Sequence, residues 1–168
     1  PRLKTKLYDR NGVLLTEFYN ENRVLTPYND IPEHLINMLL ASEDQEFYDH
    51  WGINVRRVGM VGITNLLRGR ITGGASTITQ QLSRKIFLTR EKTIDRKIKE
   101  ALTAIKLERT YSKEEILGMY INQYNFSRGA YGISAAANIF FSKKVSELNL
   151  NDCAIIIGTL KGPNINSP

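Results

Sequence analysis

One stretch of the chain, from Gly73 to Glu100, limits the fold and the chemistry more than any other. It opens with two glycines, Gly73 and Gly74, continues as an amphipathic run, and closes on basic residues followed by a glutamate. Apolar residues at helical spacing predict a helix that begins near Ser76 and lies against a core. Glycines let the backbone approach a ligand closely, and the free N–H groups at a helix start favour negative charge. We therefore predict an anion site here.

The polar side chains of this stretch support that prediction. Hydroxyl and amide groups at Ser76, Thr77, Gln80 and Gln81 add neutral donors, and Arg96, Lys97 and Lys99 add positive charge. Glu100 follows Lys97 and Arg96 by three and four positions, so it shares a helix face with them. Taken alone, this cluster is typical of a surface salt-bridge ladder. Beside the glycines, hydroxyls and amides, it favours the anion site.

Composition sets wider limits. With 168 residues, the chain is long enough for one domain with a buried core. A net charge of +6 indicates an acidic partner, which leaves nucleic acid, an anionic membrane surface and a phosphorylated substrate open. The single cysteine, Cys153, lies in an apolar run and is expected to be buried. The sequence contains no Cys/His cluster of the kind that binds structural zinc. No apolar run in it reaches the roughly 18 residues that a membrane-spanning helix needs.

The remaining sequence predicts a mainly helical domain behind a short β-hairpin. Two strand-like runs within Leu3–Asn20 flank an Asn-Gly turn signal, and Pro32 suits the first turn of a helix that ends at Glu43 and Asp44. Later helices are predicted from the central stretch on to Tyr111, after the capping box Ser112–Glu115, after Gly132, and over Leu148–Leu160. The helix that ends at Tyr111 has Ile94, Ile98, Ala101, Leu102 and Ile105 on one side. We divide the chain into an arm, residues 1–30, and one domain, residues 31–168.

The segment Ile53–Arg70 is basic and amphipathic. Its apolar residues alternate with four arginines and three glycines. One interpretation is a surface that enters the headgroup region of an anionic bilayer, and the other is a core helix with solvated arginines. Apolar stripes at helical spacing are usually core, so the residues alone favour the second interpretation.

Two carboxylates indicate the chemistry. Glu43 lies at the end of a predicted apolar helix, close to Phe47 and other aromatic residues, and this setting suits proton transfer. Glu100 lies in the cationic cluster. Asp44 either positions Glu43 or is simply a solvated cap, and His50 is interpreted as a structural, hydrogen-bonding residue. Two carboxylates and an anion site point to sugar chemistry with an anionic leaving group. A transferase with a diphosphate-activated donor fits better than a hydrolase, because a neutral sugar leaving group needs no cations.

Five motifs carry a resemblance to a known family. They are EDQEFYDHWGIN from Glu43, GGASTITQQLSRKIFLT from Gly73, RKIKEA from Arg96, KEEILGMYIN from Lys113 and RGAYGISAAANIFFSK from Arg128. In this order they resemble the motifs of family 51 glycosyltransferases. These are the peptidoglycan glycosyltransferase domains of class A penicillin-binding proteins and of monofunctional transglycosylases. The resemblance covers nearly the whole chain.

The resemblance implies a fold and a reaction. The fold would be a lysozyme-like helical head with a smaller, membrane-dipping jaw at about residues 53–72, which reverses the preference for a core helix there. The substrate would be lipid II, a disaccharide-pentapeptide on undecaprenyl diphosphate. Glu43 resembles the base that deprotonates the GlcNAc 4-hydroxyl of the acceptor, which attacks the MurNAc anomeric carbon of the growing glycan strand with inversion. Undecaprenyl diphosphate then leaves.

The resemblance also implies roles for other residues. Glu100 corresponds to a second glutamate on the donor side, near the diphosphate, where it is a candidate ligand of a divalent cation, Mg or Mn. Diphosphate-binding cations are expected at Arg84, Lys92, Arg96, Lys97 and Lys99. The donor-site motif contains Gly74, Ser76, Thr77, Gln80 and Gln81, and the first motif adds Asp44, Phe47 and His50 to the substrate-binding set. Tyr120, Asn122 and Tyr131 are interpreted as packing and loop-fixing residues.

Some positions depart from the family pattern. Arg84 stands where lysine is typical, and Gly118 where glutamate is common. The run Phe140-Phe141-Ser142-Lys143 replaces the commoner Tyr-Phe-Gly-Lys. None of these positions is one of the two glutamates.

Partners and location follow from the same resemblance. Expected partners are lipid II, the growing strand, the membrane surface, a C-terminal transpeptidase domain and other cell-wall synthesis proteins, and no nucleic acid. The chain contains no SxxK or KTG motif, so it carries no transpeptidase half. We expect a place on the outer face of a bacterial cytoplasmic membrane, an N-terminal anchor helix outside this chain, and a domain cut short at its C-terminal end. Two rival classes are a lytic, lysozyme-like hydrolase and a non-enzymatic membrane-binding module.

Overall fold

The computed structural model describes residues 5–8, 10, 12, 14–18, 24–68, 74–87, 93–126 and 129–161. Within these residues the protein is mainly helical, as the sequence predicts. The helices are α1 (Glu33–Glu43), α2 (Val55–Arg68), α3 (Ile78–Phe87), α4 (Ile94–Thr110), α5 (Lys113–Gln123), α6 (Ile133–Phe141) and α7 (Leu150–Lys161). Two 3-10 turns, Tyr28–Asp30 and Val145–Glu147, lie before α1 and before α7.

Two strands precede the helices. Strand β1 (Thr5–Tyr8) pairs antiparallel with β2 (Leu14–Phe18), so that Thr5 lies opposite Phe18. Gly12, between the strands, has a φ of +80°, a conformation that glycine adopts without steric cost. The described part of residues 1–30 therefore contains a two-stranded antiparallel sheet followed by a 3-10 turn.

The buried core lies among α1, α3, α5, α6 and α7. Helix α3 packs against α4 and α5, and α1 packs against α7. Fully buried side chains from all five of these helices meet in the core: Leu35, Ile78, Leu82, Ile116, Leu117, Ile133 and Ile156. Helix α3 thus lies between the core and α4, which places the central stretch of the sequence at the middle of the domain.

Helix ends follow local sequence signals, with one correction. Pro32 precedes the first residue of α1 and stands at its N-cap position, and Ser112 and Glu115 form the predicted capping box of α5. The prediction of one helix from the central stretch to Tyr111 is wrong, because α3 ends at Phe87 and α4 begins anew at Ile94. The hydroxyl of Thr93 accepts a hydrogen bond from the N–H of Arg96 and caps this second helix, a signal that the sequence carried.

Two helices carry exposed apolar side chains. In α2 these are Val55, Val58, Met60, Ile63 and Leu67, so the interpretation of this segment as a core helix is wrong. In α4 the apolar side with Ile94, Ile98 and Leu102 faces solvent, and the side with Glu100, Ala104 and Leu107 is buried. Residues 69–72 of the segment predicted to form the jaw lie outside the described residues.

Two further expectations concern burial and hydropathy. Cys153 is free and fully buried in α7, as predicted. Among the residues that the structure describes, no helix combines the length and the apolar character that crossing a bilayer requires.

Candidate active site

Glu43 is the last residue of α1, and two other helices hold it in place. Its carboxylate oxygen Oε2 accepts a hydrogen bond from Nε2 of Gln81, on α3, at 3.0 Å. Its backbone carbonyl accepts a hydrogen bond from Arg57, on α2, at 3.0 Å. The side chain is partly exposed, so it is held by α3 and α2 and remains accessible to a ligand. This combination suits a base that must keep a fixed direction.

A cavity of about 460 Å³ opens beside Glu43. Its walls are the end of α1 and one side of α2, and its lining includes Ser42, Glu43, Glu46, Asn54, Arg57 and Met60. Carboxylate, amide and guanidinium groups therefore face the same space as apolar side chains. Such a mixture fits a sugar ring, which presents both hydroxyls and C–H groups.

Asp44, next to Glu43, is buried and ties α1 to α3. Its Oδ2 accepts hydrogen bonds from Nε2 of His50 at 2.9 Å and from the backbone N–H of Ile78 at 3.0 Å. The backbone N–H of Gly52 donates to Nδ1 of His50, which leaves the proton of the neutral ring on Nε2. Asp44 is therefore a buried cap at the start of α3, not a solvated one, and its role in positioning Glu43 stays a prediction. The interpretation of His50 as structural is consistent with its two hydrogen bonds.

Gly52 is required by a close approach between two elements. Its φ is +101°, and a Cβ at this position would lie 2.8 Å from the carbonyl oxygen of Ala104, on α4. The carbonyl oxygen of Gly52 accepts a hydrogen bond from the Thr77 hydroxyl at 2.7 Å. The loop after α1 therefore packs directly on α4 and on the start of α3, and a larger residue would separate them.

The start of α3 is closed by its own side chains. Thr77 and Gln80 form a reciprocal cap, in which the Thr77 hydroxyl accepts from the N–H of Gln80 and the Gln80 amide oxygen accepts from the N–H of Thr77. The N–H of Ile78 donates to Asp44. We expected free N–H groups at this helix start to contact a ligand. For the N–H groups of Thr77, Ile78 and Gln80 this expectation is wrong, because each donates to a side chain of the protein. Asp44 supplies the negative charge that a ligand would have brought. Thr77 and Gln80 are buried and stabilise the helix start.

Glu100 is fully buried and is surrounded by cations from its own helix. Its Oε2 accepts from Nη1 of Arg96 at 2.6 Å, and its Oε1 accepts from Nζ of Lys97. The same Lys97 nitrogen donates to the hydroxyl of Ser76 at 2.8 Å. The predicted cluster is thus assembled, and it connects α4 to the glycine-containing segment before α3. Because Lys97 is half-exposed, its ammonium group remains open to a second anion.

The other predicted site residues are distributed around this centre. Lys99 pairs with Asp95 at 2.7 Å, on a different side of α4 from Glu100. Arg84 and Gly74 are exposed, and Phe47 is fully buried. Lys92 lies outside the described residues. The structure therefore joins Ser76, Arg96, Lys97 and Glu100 in one group, and Glu43, Asp44, His50 and Gln81 in another.

A third helix fixes the loop that follows Glu43. Nζ of Lys113, at the start of α5, donates to the carbonyl oxygens of Phe47 and His50, both at 2.6 Å, and pairs with Glu108 at 2.8 Å. Glu108 also accepts from the hydroxyl of Thr79 at 2.6 Å. Lys113 and Glu108 therefore hold this loop, whose Phe47 and His50 are buried, against α3, α4 and α5.

The donor set around Glu100 does not fit a protein-built metal site. Both of its carboxylate oxygens already accept from cations, and a metal ion at either oxygen would have to displace Arg96 or Lys97. Within the described part of the chain, no group of three or more Asp, Glu, His or Cys side chains is arranged to hold a metal ion. The use of Mg²⁺ or Mn²⁺ stays a prediction.

Two residues of the site were not identified from the sequence. Arg57 was noted only as one of several cations in a basic segment, and Glu108 was not singled out. Arg57 reaches Glu43 across 14 positions and Glu108 reaches Thr79 across 29. Contacts at such separations have no local sequence pattern, so only the folded chain could have revealed them.

The chain is similar to known proteins over nearly all of its length. A family model described as Transglycosylase matches residues 11–168. Penicillin-binding protein 1A of Aquifex aeolicus is 44% identical over 163 residues, which are 97% of this chain and 22% of that protein. Penicillin-binding protein 1F of Bacillus subtilis is 43% identical over 164 residues, 98% of this chain and 23% of that protein. The chain thus spans less than a quarter of the length of these relatives.

Proposed function

The chain belongs to the transglycosylase family and is therefore a glycosyltransferase domain, and we propose that it polymerises lipid II into peptidoglycan glycan strands. The observation that carries this proposal is the presence of two separately held glutamates. Glu43 lies partly exposed beside a cavity, and Glu100 is buried among cations. One carboxylate is arranged to take a proton, and the other is arranged to organise positive charge.

Glu43 is the proposed general base. It removes the proton from the GlcNAc 4-hydroxyl of the acceptor, and the resulting oxygen nucleophile attacks the anomeric carbon of the MurNAc at the end of the growing strand. The bond to the diphosphate breaks and the configuration inverts. The cavity beside Glu43 supports an acceptor in this place, since Ser42, Glu46 and Arg57 line it with polar groups suited to sugar hydroxyls.

Arg96, Lys97 and Glu100 are the proposed donor-side group. Negative charge develops on the diphosphate as it leaves, and preorganised cations lower the barrier by stabilising that charge. Glu100 fixes both cations through its two oxygens, so they need not reorganise during the reaction. Arg84, Lys92 and Lys99 are proposed to extend the positive field toward the diphosphate.

We further propose a lysozyme-like head and a membrane-dipping jaw formed by α2 and the residues after it. The exposed apolar side chains of α2, with Arg56 and Arg68 beside them, suit contact with an anionic bilayer at the outer face of a bacterial cytoplasmic membrane. Penicillin-binding protein relatives make a C-terminal transpeptidase domain and other cell-wall synthesis proteins reasonable partners. A divalent cation is proposed to act with the substrate diphosphate, and no step here depends on it.

The test is polymerisation of labelled lipid II in detergent with a divalent cation present. Wild-type protein should form long strands that muramidase degrades, and Glu43→Gln and Glu100→Gln should each reduce the rate about 100-fold or more. Glu114→Gln, on the exposed surface of α5, is the matched control and should polymerise normally.

The rival classes give different results in the same experiment. A lytic hydrolase would shorten preformed strands, and a binding module would bind lipid II without forming polymer. Either result with folded wild-type protein would contradict the proposal. Full activity of Glu43→Gln would leave the family assignment in place but reject Glu43 as the base.

A further inference from the structure

Tyr120, on α5, is connected to Glu43 through one intermediate side chain. Its hydroxyl donates to Oε1 of Gln81 at 3.0 Å, and Nε2 of the same amide donates to Oε2 of Glu43 at 3.0 Å. Tyr120 is 2% exposed, and its ring packs on that of Tyr124 with 5.4 Å between ring centroids. Core packing therefore fixes the Tyr120 hydroxyl, which contacts the oxygen end of the Gln81 amide, while Glu43 contacts its nitrogen end.

The direction of this chain of hydrogen bonds follows from chemistry. An ionised carboxylate only accepts hydrogen bonds, so the Gln81 amide must turn its NH₂ group to Glu43. Its carbonyl oxygen then points to Tyr120 and accepts from that hydroxyl, and leaving this partly buried oxygen unpaired would cost free energy. Burial raises the pKa of Tyr120 above its ordinary value, with the charges of Tyr124 and Glu43 adding to the effect and Arg84 opposing it. The hydroxyl therefore keeps its proton and stays a donor.

We propose that Tyr120 is a positioning residue that fixes the orientation of the Gln81 amide and, through it, the direction of the Glu43 carboxylate. Without the tyrosine hydroxyl, Glu43 alone holds the amide, which can then tilt and shift along the carboxylate. The carboxylate would in turn lose its fixed direction toward the acceptor hydroxyl. This inference rests on the proposed function, since it assigns a role in orienting the base of that reaction.

The first test compares two neighbouring tyrosines whose hydroxyls contact different partners. Tyr120→Phe removes the donor to Gln81, whereas Tyr124→Phe removes a hydrogen bond to the backbone carbonyl of Leu160. Both variants lose one partly or fully buried hydroxyl, so their melting temperatures should fall by similar amounts. For Tyr120→Phe we expect kcat for lipid II polymerisation to fall about tenfold with KM little changed, as for the loss of one hydrogen bond. For Tyr124→Phe we expect both constants to stay near wild type.

A double-mutant cycle tests whether Tyr120 acts through Gln81. In a Gln81→Leu background the amide is absent, so Tyr120→Phe should cause no further loss of kcat. Additive losses would overturn the proposal, and so would equal losses of kcat in Tyr120→Phe and Tyr124→Phe. Failure of the wild type to polymerise lipid II would instead overturn the proposed function.

A second measurement does not depend on activity. The side-chain NH₂ resonances of Gln81, followed by NMR in ¹⁵N-labelled protein, should shift in Tyr120→Phe and remain in place in Tyr124→Phe. Unchanged resonances in Tyr120→Phe would show that the hydroxyl does not hold the amide, which would overturn the inference even if turnover fell.

Discussion

The carboxylate of Asp44 accepts a hydrogen bond from the backbone N–H of Ile78 at 3.0 Å, which joins the end of α1 to the start of α3. The negative charge lies at the positive end of a helix dipole and satisfies an N–H group that the helix itself leaves unpaired. Asp44 also accepts from His50. One buried carboxylate therefore organises the loop that directly follows the proposed base, Glu43, at the end of α1.

Asp44→Asn should lower the free energy of unfolding by about 1–3 kcal/mol, because the substitution removes the charge at the helix start while keeping the shape. Denaturant unfolding followed by circular dichroism would measure this. Asp95→Asn is the matched control, since Asp95 lies exposed in the first turn of α4, and its variant should unfold near the wild-type midpoint. Equal midpoints for both variants would contradict the role given to Asp44.

Arg57→Ala should slow polymerisation by about three- to tenfold, because the guanidinium holds the backbone carbonyl of Glu43 and small displacements of a base reduce the rate. The control is Arg56→Ala. Arg56 is 79% exposed and lies 3.7 Å from Glu46, so its loss removes the same charge from α2 without touching Glu43. A comparable loss of rate in both variants would indicate that α2 acts through its charge and not through the carbonyl of Glu43.

Local sequence signals predicted the elements of this fold well. The Ser112 capping box and the proline at the start of α1 act within a few residues, so their effects can be identified from short segments. The break between α3 and α4 was missed, although Thr93 is a good helix cap, because the apolar spacing continues past it. Periodicity alone cannot distinguish one long helix from two.

The site was predictable only in part. Resemblance to a family placed Glu43 and Glu100, and the helix spacing joined Glu100 to Arg96 and Lys97. The sequence did not predict that Asp44 accepts a hydrogen bond from the first N–H group of α3, because the two residues lie 34 positions apart. The same reason applies to Lys113, which reaches the carbonyl of Phe47 from 66 positions away.

Ser142→Gly should stabilise the protein by about 0.5–1 kcal/mol, because Ser142 ends α6 with a φ of +55°, a conformation that costs a residue with a Cβ more than it costs glycine. Among the residues that the structure describes, it is the one non-glycine with a positive φ. Thermal unfolding would measure the change, and Ser146→Gly, in the exposed 3-10 turn that follows, should give no increase. A lower melting temperature for Ser142→Gly would contradict this account.

The acid stability of the protein should depend on Asp152, in the first turn of α7. A hydrogen bond from Lys143 at 2.6 Å, and one from the backbone N–H of Asn149, hold the pKa of the Asp152 carboxyl below its ordinary value of 3.8. Since the folded-state pKa is the lower one, this contribution to stability is complete above pH 3.8 and is lost as the pH falls through the folded-state value.

Melting temperatures between pH 7 and pH 2 would measure that dependence. The wild type should exceed Asp152→Asn above about pH 4 and approach it at lower pH. Lys143→Met should cause a similar loss above pH 4, because it removes the main donor. A difference between wild type and Asp152→Asn that stayed constant over this range would show that the carboxylate does not titrate with folding.

The proposed jaw predicts that α2 binds an anionic bilayer. Its exposed Ile63 and Leu67 should enter the headgroup region, and the arginines of the same helix should attract anionic lipid. Charged substitutions at both positions, Ile63→Glu and Leu67→Glu, should therefore reduce cosedimentation of the protein with phosphatidylglycerol vesicles at least several-fold. Ile139→Glu is the control, because Ile139 is also exposed but lies on α6, outside α2. Equal losses in the α2 and α6 variants would mean that binding reflects general hydrophobic exposure, and no loss in either would place the bilayer contact outside α2.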